Sequence, residues 1–155
     1  YLGDRMGKTD KRWYMGVPGI ATIISVPFAV LFYTTGDPML AIVLAIPGAI
    51  LGPMYLGPTF AMTQTLVPPA MRSTASAILL FVLNLIGLGL GPVFAGFLSD
   101  TLKPEYGEES IRYSLLILAV AGNIWSALHY YLASRTLRED LVAKDQLVET
   151  SPVID

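Results

Sequence analysis

The stretch Arg72-Ser-Thr-Ala-Ser-Ala-Ile-Leu-Leu-Phe-Val-Leu-Asn84-Leu-Ile-Gly87-Leu-Gly89-Leu-Gly91-Pro92-Val-Phe-Ala-Gly96-Phe-Leu-Ser-Asp100 decides how this sequence folds. No charged residue lies between its ends, and it exceeds the ~20 apolar residues that a helix needs to cross a bilayer. A helix that is apolar on every side is no surface helix of a soluble protein. Four glycines and Pro92 crowd its second half. In water each glycine weakens a helix by ~1 kcal/mol and a proline by more. In lipid they are tolerated, because small residues let backbones approach and neighbours re-satisfy the freed carbonyl. The stretch reads as a membrane span built to press against another helix.

The rest of the chain has the same character. It has 155 residues, 54% hydrophobic and 14% charged, with mean hydropathy +0.59; soluble domains carry about 25% charged residues. A net charge of -2 offers no basic surface, so nucleic acid is not an expected partner. The absence of cysteine excludes disulfides and thiolate metal sites. One histidine does not make a zinc site, and neither metal nor cofactor is expected. The opening Tyr1-Leu2-Gly3-Asp4 carries no initiator methionine or signal peptide. It suggests a piece of something longer.

Outward from the opening stretch, three further spans are expected. Trp13 to Tyr33 is the first, with Trp13, Tyr14 and Tyr33 at interfacial positions and Pro18 and Pro27 bending it. After the turn at residues 34–38, Met39 to Thr65 is the second. Its Pro47, Pro53 and Pro58 argue against one straight helix, and Gly48 and Gly52 form a small-xxx-small pair. Tyr55, Thr59 and Thr63 follow at i, i+4, i+8, which places three hydroxyls on one face. Residues 66–71, with Pro68 and Pro69, turn into the third span. Residues 99–112 read as a polar loop in which Glu108, Glu109 and Ser110 suit a helix start. Tyr113 to Ser134 is the fourth span. Arg135 to Glu149 reads as a helical tail, with Arg135–Glu139 and Asp140–Lys144 as i,i+4 pairs.

The predicted fold is therefore an all-α membrane protein with four transmembrane helices. Residues 1–12 form a loop, 13–134 the membrane portion and 135–155 a tail. Orientation follows from the basic residues. Arg5, Lys8, Lys11, Arg12, Arg72, Arg135, Arg138 and Lys144 lie on the side of the two ends, and only Lys103 and Arg112 on the other. Both ends are thus expected in the cytoplasm.

Leu2-Gly3-Asp4-Arg5-Met6-Gly7-Lys8 resembles the end of the Gly-x-Leu-Gly-Asp-Arg-x-Gly-Lys/Arg loop of the major facilitator superfamily. An aspartate in such a turn can accept bonds from a nearby helix start, and its basic neighbours can pair with acids across a closing interface. The resemblance makes Gly3, Asp4, Arg5, Gly7 and Lys8, together with Arg72, a cytoplasmic gate. With four spans behind the motif, it implies helices 9–12 of a twelve-helix facilitator fold. The partners are then the bilayer, the preceding helices of the same carrier and a small or lipid-like solute. Gly87-xxx-Gly91-Pro92-xxx-Gly96 is similar to the pattern of the fifth helix of antiporters, the counterpart of the eleventh. More narrowly, Arg72-Ser-Thr-Ala-Ser-Ala, Asn84-Leu-Ile-Gly87 and Phe97-Leu-Ser-Asp100 look like bacterial spinster-like members, which places the chain in a bacterial inner membrane.

In that architecture the tenth helix lines the central cavity, so Tyr55, Thr59 and Thr63 become candidates for touching substrate. Their alternative is to bond backbone carbonyls beside the prolines. Asn84, polar amid aliphatics, is a fourth candidate, with an interhelical hydrogen bond as its rival role. Asn84, Gly87 and Gly91 fall at i, i+3, i+7, a smooth stripe that would pack on the other half of the carrier, with Pro92 and Gly96 as a hinge. Asn123 and Ser126 are expected to serve packing. The resulting expectation is a secondary transporter that moves a small or amphiphilic organic solute by alternating access. The alternatives are a non-transporting membrane scaffold and an intramembrane enzyme subunit. An enzyme needs an acid, histidine pair, thiol or metal cluster within the spans, and the spans hold no Asp, Glu, Lys or Arg.

Overall fold

Where apolar residues run on without a polar face, a helix is the element that satisfies its own backbone. The computed structural model describes residues 6, 7 and 9–150, and for 147–150 the backbone alone. Among the described residues every regular element is helical. In chain order these are α1 (Trp13–Thr34), α2 (Pro38–Leu51), a 3-10 joint (Gly52–Tyr55) and α3 (Leu56–Thr65). A short 3-10 turn (Pro69–Met71) leads into α4 (Arg72–Val82), a π-helical stretch (Leu83–Leu90) and α5 (Gly91–Tyr106). A last 3-10 turn (Gly107–Glu109) precedes α6 (Ser110–Thr150).

Local chemistry accounts for the breaks. The Asp37 carboxylate accepts from the Met39 N–H at 2.9 Å, and Pro38 opens α2 where no N–H is needed. Pro53, which has no N–H to give, sits in the 3-10 joint, so the second span is two helices. In the third span the Gly91 N–H reaches back five residues to the Ile86 carbonyl. Pro92 falls in the first turn of α5, where its missing donor costs nothing. Helices α4 and α5 therefore continue one rod through a π turn.

Two expectations are corrected, the loop at 99–112 and the ion pairs of the tail. Residues 99–106 are helical, not loop; the Thr101 hydroxyl bonds back to the Phe97 carbonyl at 2.9 Å. The reversal shrinks to Gly107–Glu109 because Gly107 takes φ 56°, the only positive φ among the described residues. The tail is helical as expected and continues the preceding span without a break, since α6 runs for 41 residues. At 1.5 Å per residue it is about 60 Å long, twice the ~30 Å of a hydrocarbon core, so one end must leave the membrane. Neither i,i+4 pair forms in the tail. Lys144 takes the adjacent Asp145 at 2.8 Å, and Arg138 crosses to Asp10 at 2.8 Å.

Three stretches are long and apolar enough to cross a membrane: Trp13–Thr34, Pro38–Thr65 and Pro69–Gln146. The third has 78 residues and doubles back at Gly107, so that α5 packs against α6. The fully buried Ser114 donates to the Ala95 carbonyl at 2.7 Å, and the Ser99 and Ser110 hydroxyls meet at 3.0 Å. Helix α1 is central and touches α2, α3 and, most extensively, α6. Met15, Met62, Leu137 and Leu141 form the core where the start of α1, the end of α3 and the second half of α6 meet.

Along the seam of α1 and α6, Pro18 is fully buried, and a Cβ on Gly19 would lie 3.2 Å from the Tyr130 Cβ. At its far end Arg112 caps α1. Its Nε donates to the Tyr33 carbonyl, its Nη2 to the Thr35 carbonyl at 2.6 Å, and its Nη1 pairs with Glu109 at 3.0 Å. A cation here also meets the negative end of the α1 dipole.

Candidate functional site

The second span carries the expected hydroxyls. Tyr55 ends the 3-10 joint, and Thr59 and Thr63 follow on successive turns of α3; all three are half-buried. Thr63 donates to the Thr59 carbonyl at 2.8 Å. The Thr59 hydroxyl lies 2.8 Å from the Tyr130 hydroxyl of α6. Tyr130 is therefore a partner that the sequence pattern did not single out; its only signal there is a tyrosine inside an apolar helix.

Beside the joint, a cavity of about 300 Å³ opens between α1, α2 and α6. Phe28, Phe32, Leu44 and Gly48 give it apolar walls, with Ser25 and Asn123 at a polar edge. The Ser25 hydroxyl is 3.0 Å from Asn123 Oδ1 and 2.7 Å from the Thr22 carbonyl, and Asn123 Nδ2 donates to the Ala119 carbonyl. A Cβ on Gly48 or Gly52 would meet nothing within 4 Å. Within this chain they widen the cavity and no helix presses on them.

In the third span the exposed Asn84 amide donates to the Leu80 carbonyl of its own helix at 2.7 Å. A π turn needs more residues per revolution than an α turn. It therefore swings Asn84 away from Gly87, while Gly87 and Gly91, four apart, stay near one line. A Cβ on Gly87 or Gly96 would touch nothing, and one on Gly91 only the Ile86 carbonyl at 3.8 Å. Leu88, between the glycines, is 76% exposed.

Of the gate residues, Gly3, Asp4, Arg5 and Lys8 lie outside the described residues. Gly7 is buried beneath the Tyr14 ring, which any side chain at position 7 would overlap. Arg72 opens α4 and is exposed. Next to the motif, Asp10 ties the loop to the tail: it takes the Arg12 N–H at 3.0 Å and the Arg138 guanidinium at 2.8 Å. The Arg12 backbone bond, and after it Arg138, holds the Asp10 carboxyl below the usual carboxylate range. A cavity of about 640 Å³ lies beside this pair, with Lys11, Tyr14, Leu141 and Asp145 on its walls. Among the described residues no group of three His, Cys, Asp or Glu could hold a metal ion.

Residues 1–154 match the Major Facilitator Superfamily. The chain belongs to that superfamily. It is also 35% identical over 141 residues to an MFS-type efflux pump of Mycolicibacterium smegmatis, which covers 91% of this chain and 33% of that protein. The chain thus spans about a third of that relative's length. No solved structure matches it. As a facilitator-superfamily chain with membrane-length apolar helices, it is an integral membrane protein of a transporter family and not an enzyme.

Proposed function

We propose that the chain is the last four helices, nine to twelve, of a twelve-helix facilitator carrier that moves a small or amphiphilic organic solute by alternating access. The observation that carries this is the family match along residues 1–154. The fold-back at Gly107 supports four crossings, since it divides the third long stretch into two arms packed side by side. The spinster-like branch rests on the motifs around Arg72, Asn84 and Asp100. Cytoplasmic placement of residues 1–12 and 135–155, in a bacterial inner membrane, rests on the basic-residue bias. In this reading the motif at Gly3, Asp4, Arg5, Gly7 and Lys8, with Arg72, closes the cytoplasmic side. Tyr55, Thr59, Thr63 and Asn84 line the solute path, and Gly87, Gly91, Pro92 and Gly96 face the other half. Export is the direction that the relative's name suggests.

The test is transport by the full-length protein in proteoliposomes, with a labelled lysophospholipid as amphiphilic probe and an imposed proton gradient. Gradient-dependent movement above that of protein-free liposomes is expected. Movement equal to the protein-free rate for this probe and for a panel of small organic cations overturns the reading. For orientation, cysteines placed at Thr35 and Thr101 should react with an impermeant thiol reagent from outside; labelling only from the cytoplasm overturns it.

A further inference from the structure

We propose that the outer groove between α1 and α6 holds one anionic phospholipid of the surrounding bilayer, with an acyl chain in the groove and its phosphate at Arg135. The groove exists because Gly19 and Ala127 bring the two helices together, and Gly16 leaves no side chain to fill the space beside the seam. Ile20, Ile23 and Tyr131 make its rims, and its volume is about 350 Å³. These rims are about half exposed, so the groove opens sideways, where lipid lies. From Met15 to Ile24 it runs about 14 Å along α1 at 1.5 Å per residue, close to the ~15 Å depth of one leaflet, half of the hydrocarbon core.

Charge complementarity selects the occupant. At the Trp13 end of the groove, the Arg135 guanidinium stands 5.7 Å from the Tyr131 ring centroid, next to the groove residue Ser134. Among the described residues no carboxylate pairs with it; the nearby Asp10 is engaged by Arg138. Arg12 precedes Gly16 and Gly19 by four and seven residues, and so lies on the groove face of α1. Trp13 adds an interfacial aromatic at this level. A greasy channel one leaflet deep, with Arg135 at its mouth, suits an acyl chain under a phosphate. The inference asks only for an integral membrane protein and is independent of the transport reading.

The experiment holds the full-length protein in nanodiscs made from equal parts of phosphatidylglycerol and phosphatidylcholine, and counts retained lipids by native mass spectrometry. The wild type should keep phosphatidylglycerol in preference to phosphatidylcholine. Arg135→Gln should cut that preference about fivefold, the loss of one arginine near an anionic surface. Ile23→Trp, which fills the groove, should lower total retention. Lys103→Gln, an exposed charge near the end of α5 and away from the groove, should leave the preference unchanged. Equal retention of the two lipids by the wild type overturns the proposal, as does full preference in Arg135→Gln. An equal loss in Lys103→Gln also overturns it. No retained lipid at all means that another part of the carrier covers the groove, and overturns it too.

Discussion

The seam of α1 with α6 and the rod of α4 and α5 are built from the same residues and behave in opposite ways. Both are apolar helices broken by glycine and proline. In the seam, Gly19 lets the backbones meet, Pro18 is fully buried, and Ser25 finds Asn123 across the interface. In the rod, a Cβ on Gly87 or Gly96 would meet nothing, Leu88 stands exposed, and Asn84 turns back onto the Leu80 carbonyl of its own helix. Small residues permit close packing, but they do not say what packs. A polar side chain in an apolar helix likewise bonds across the interface only where a partner stands opposite, and otherwise caps its own backbone.

The sharpest way to break this comparison is to fill a glycine on each side. Gly19→Leu forces side-chain atoms into the Tyr130 Cβ and should cost ~3 kcal/mol, the upper end for overpacking. The full-length protein should lose its monodisperse peak in detergent. Gly87→Leu has open space within this chain and should leave folding intact. In the proposed carrier it should abolish transport instead, because the rod then cannot close on the other half. If Gly87→Leu unfolds the protein, or transports normally, the contrast fails.

Smaller effects sharpen the seam. Arg112→Gln should leave the Tyr33 and Thr35 carbonyls with weaker partners and remove the pair with Glu109. A cost of about 2 kcal/mol is expected for losing a charged donor, read as a lower melting temperature of the purified protein. Asn123→Leu removes the Ser25 partner and should cost about 0.6 kcal/mol, the usual worth of a hydrogen bond between membrane helices. A loss as large as that of Gly19→Leu would mean that polar bonding, and not close approach, holds the seam.

The smallest effect is expected at Asp10, which is exposed. Its carboxyl is held below its ordinary value when folded, so ionisation favours the folded state. That contribution is present above the unfolded carboxylate pKa of about 3.9 and disappears as pH falls through the lower folded value. Asp10→Asn should leave the melting temperature nearly unchanged at neutral pH. Crosslinking between cysteines at Thr9 and Val142 should fall, and fall similarly in the wild type at high salt. Unchanged crosslinking would place the loop and tail together by their apolar contacts alone.

Much of the fold was legible because it rests on properties local to the chain. The first span was expected at Trp13 to Tyr33 and is Trp13–Thr34; the second was expected at Met39 to Thr65, and its two helices and joint cover Pro38–Thr65. Hydropathy set these bounds, since lipid admits only segments that satisfy their own backbone. Proline chemistry likewise announced the broken second span. The loop at 99–112 was misread for the converse reason. Its polar residues are compatible with a helix, and one glycine at φ 56° makes a reversal that needs no longer loop.

Sequence alone thus determined that this is an apolar helical chain of the facilitator type, where its first two spans lie, and which residues carry unusual chemistry. Only the tertiary structure decided which of those residues meet. Asn123 and Ser25 are 98 positions apart, and Arg138 and Asp10 are 128 apart. No periodicity distinguishes Gly19, which meets Tyr130, from Gly48, which faces a cavity. The π turn, too, reset the Asn84 stripe by redirecting one backbone bond before Pro92. Hydrophobicity is a property of a segment and can be summed along it. Contact is a property of two segments, fixed only when packing places one against the other.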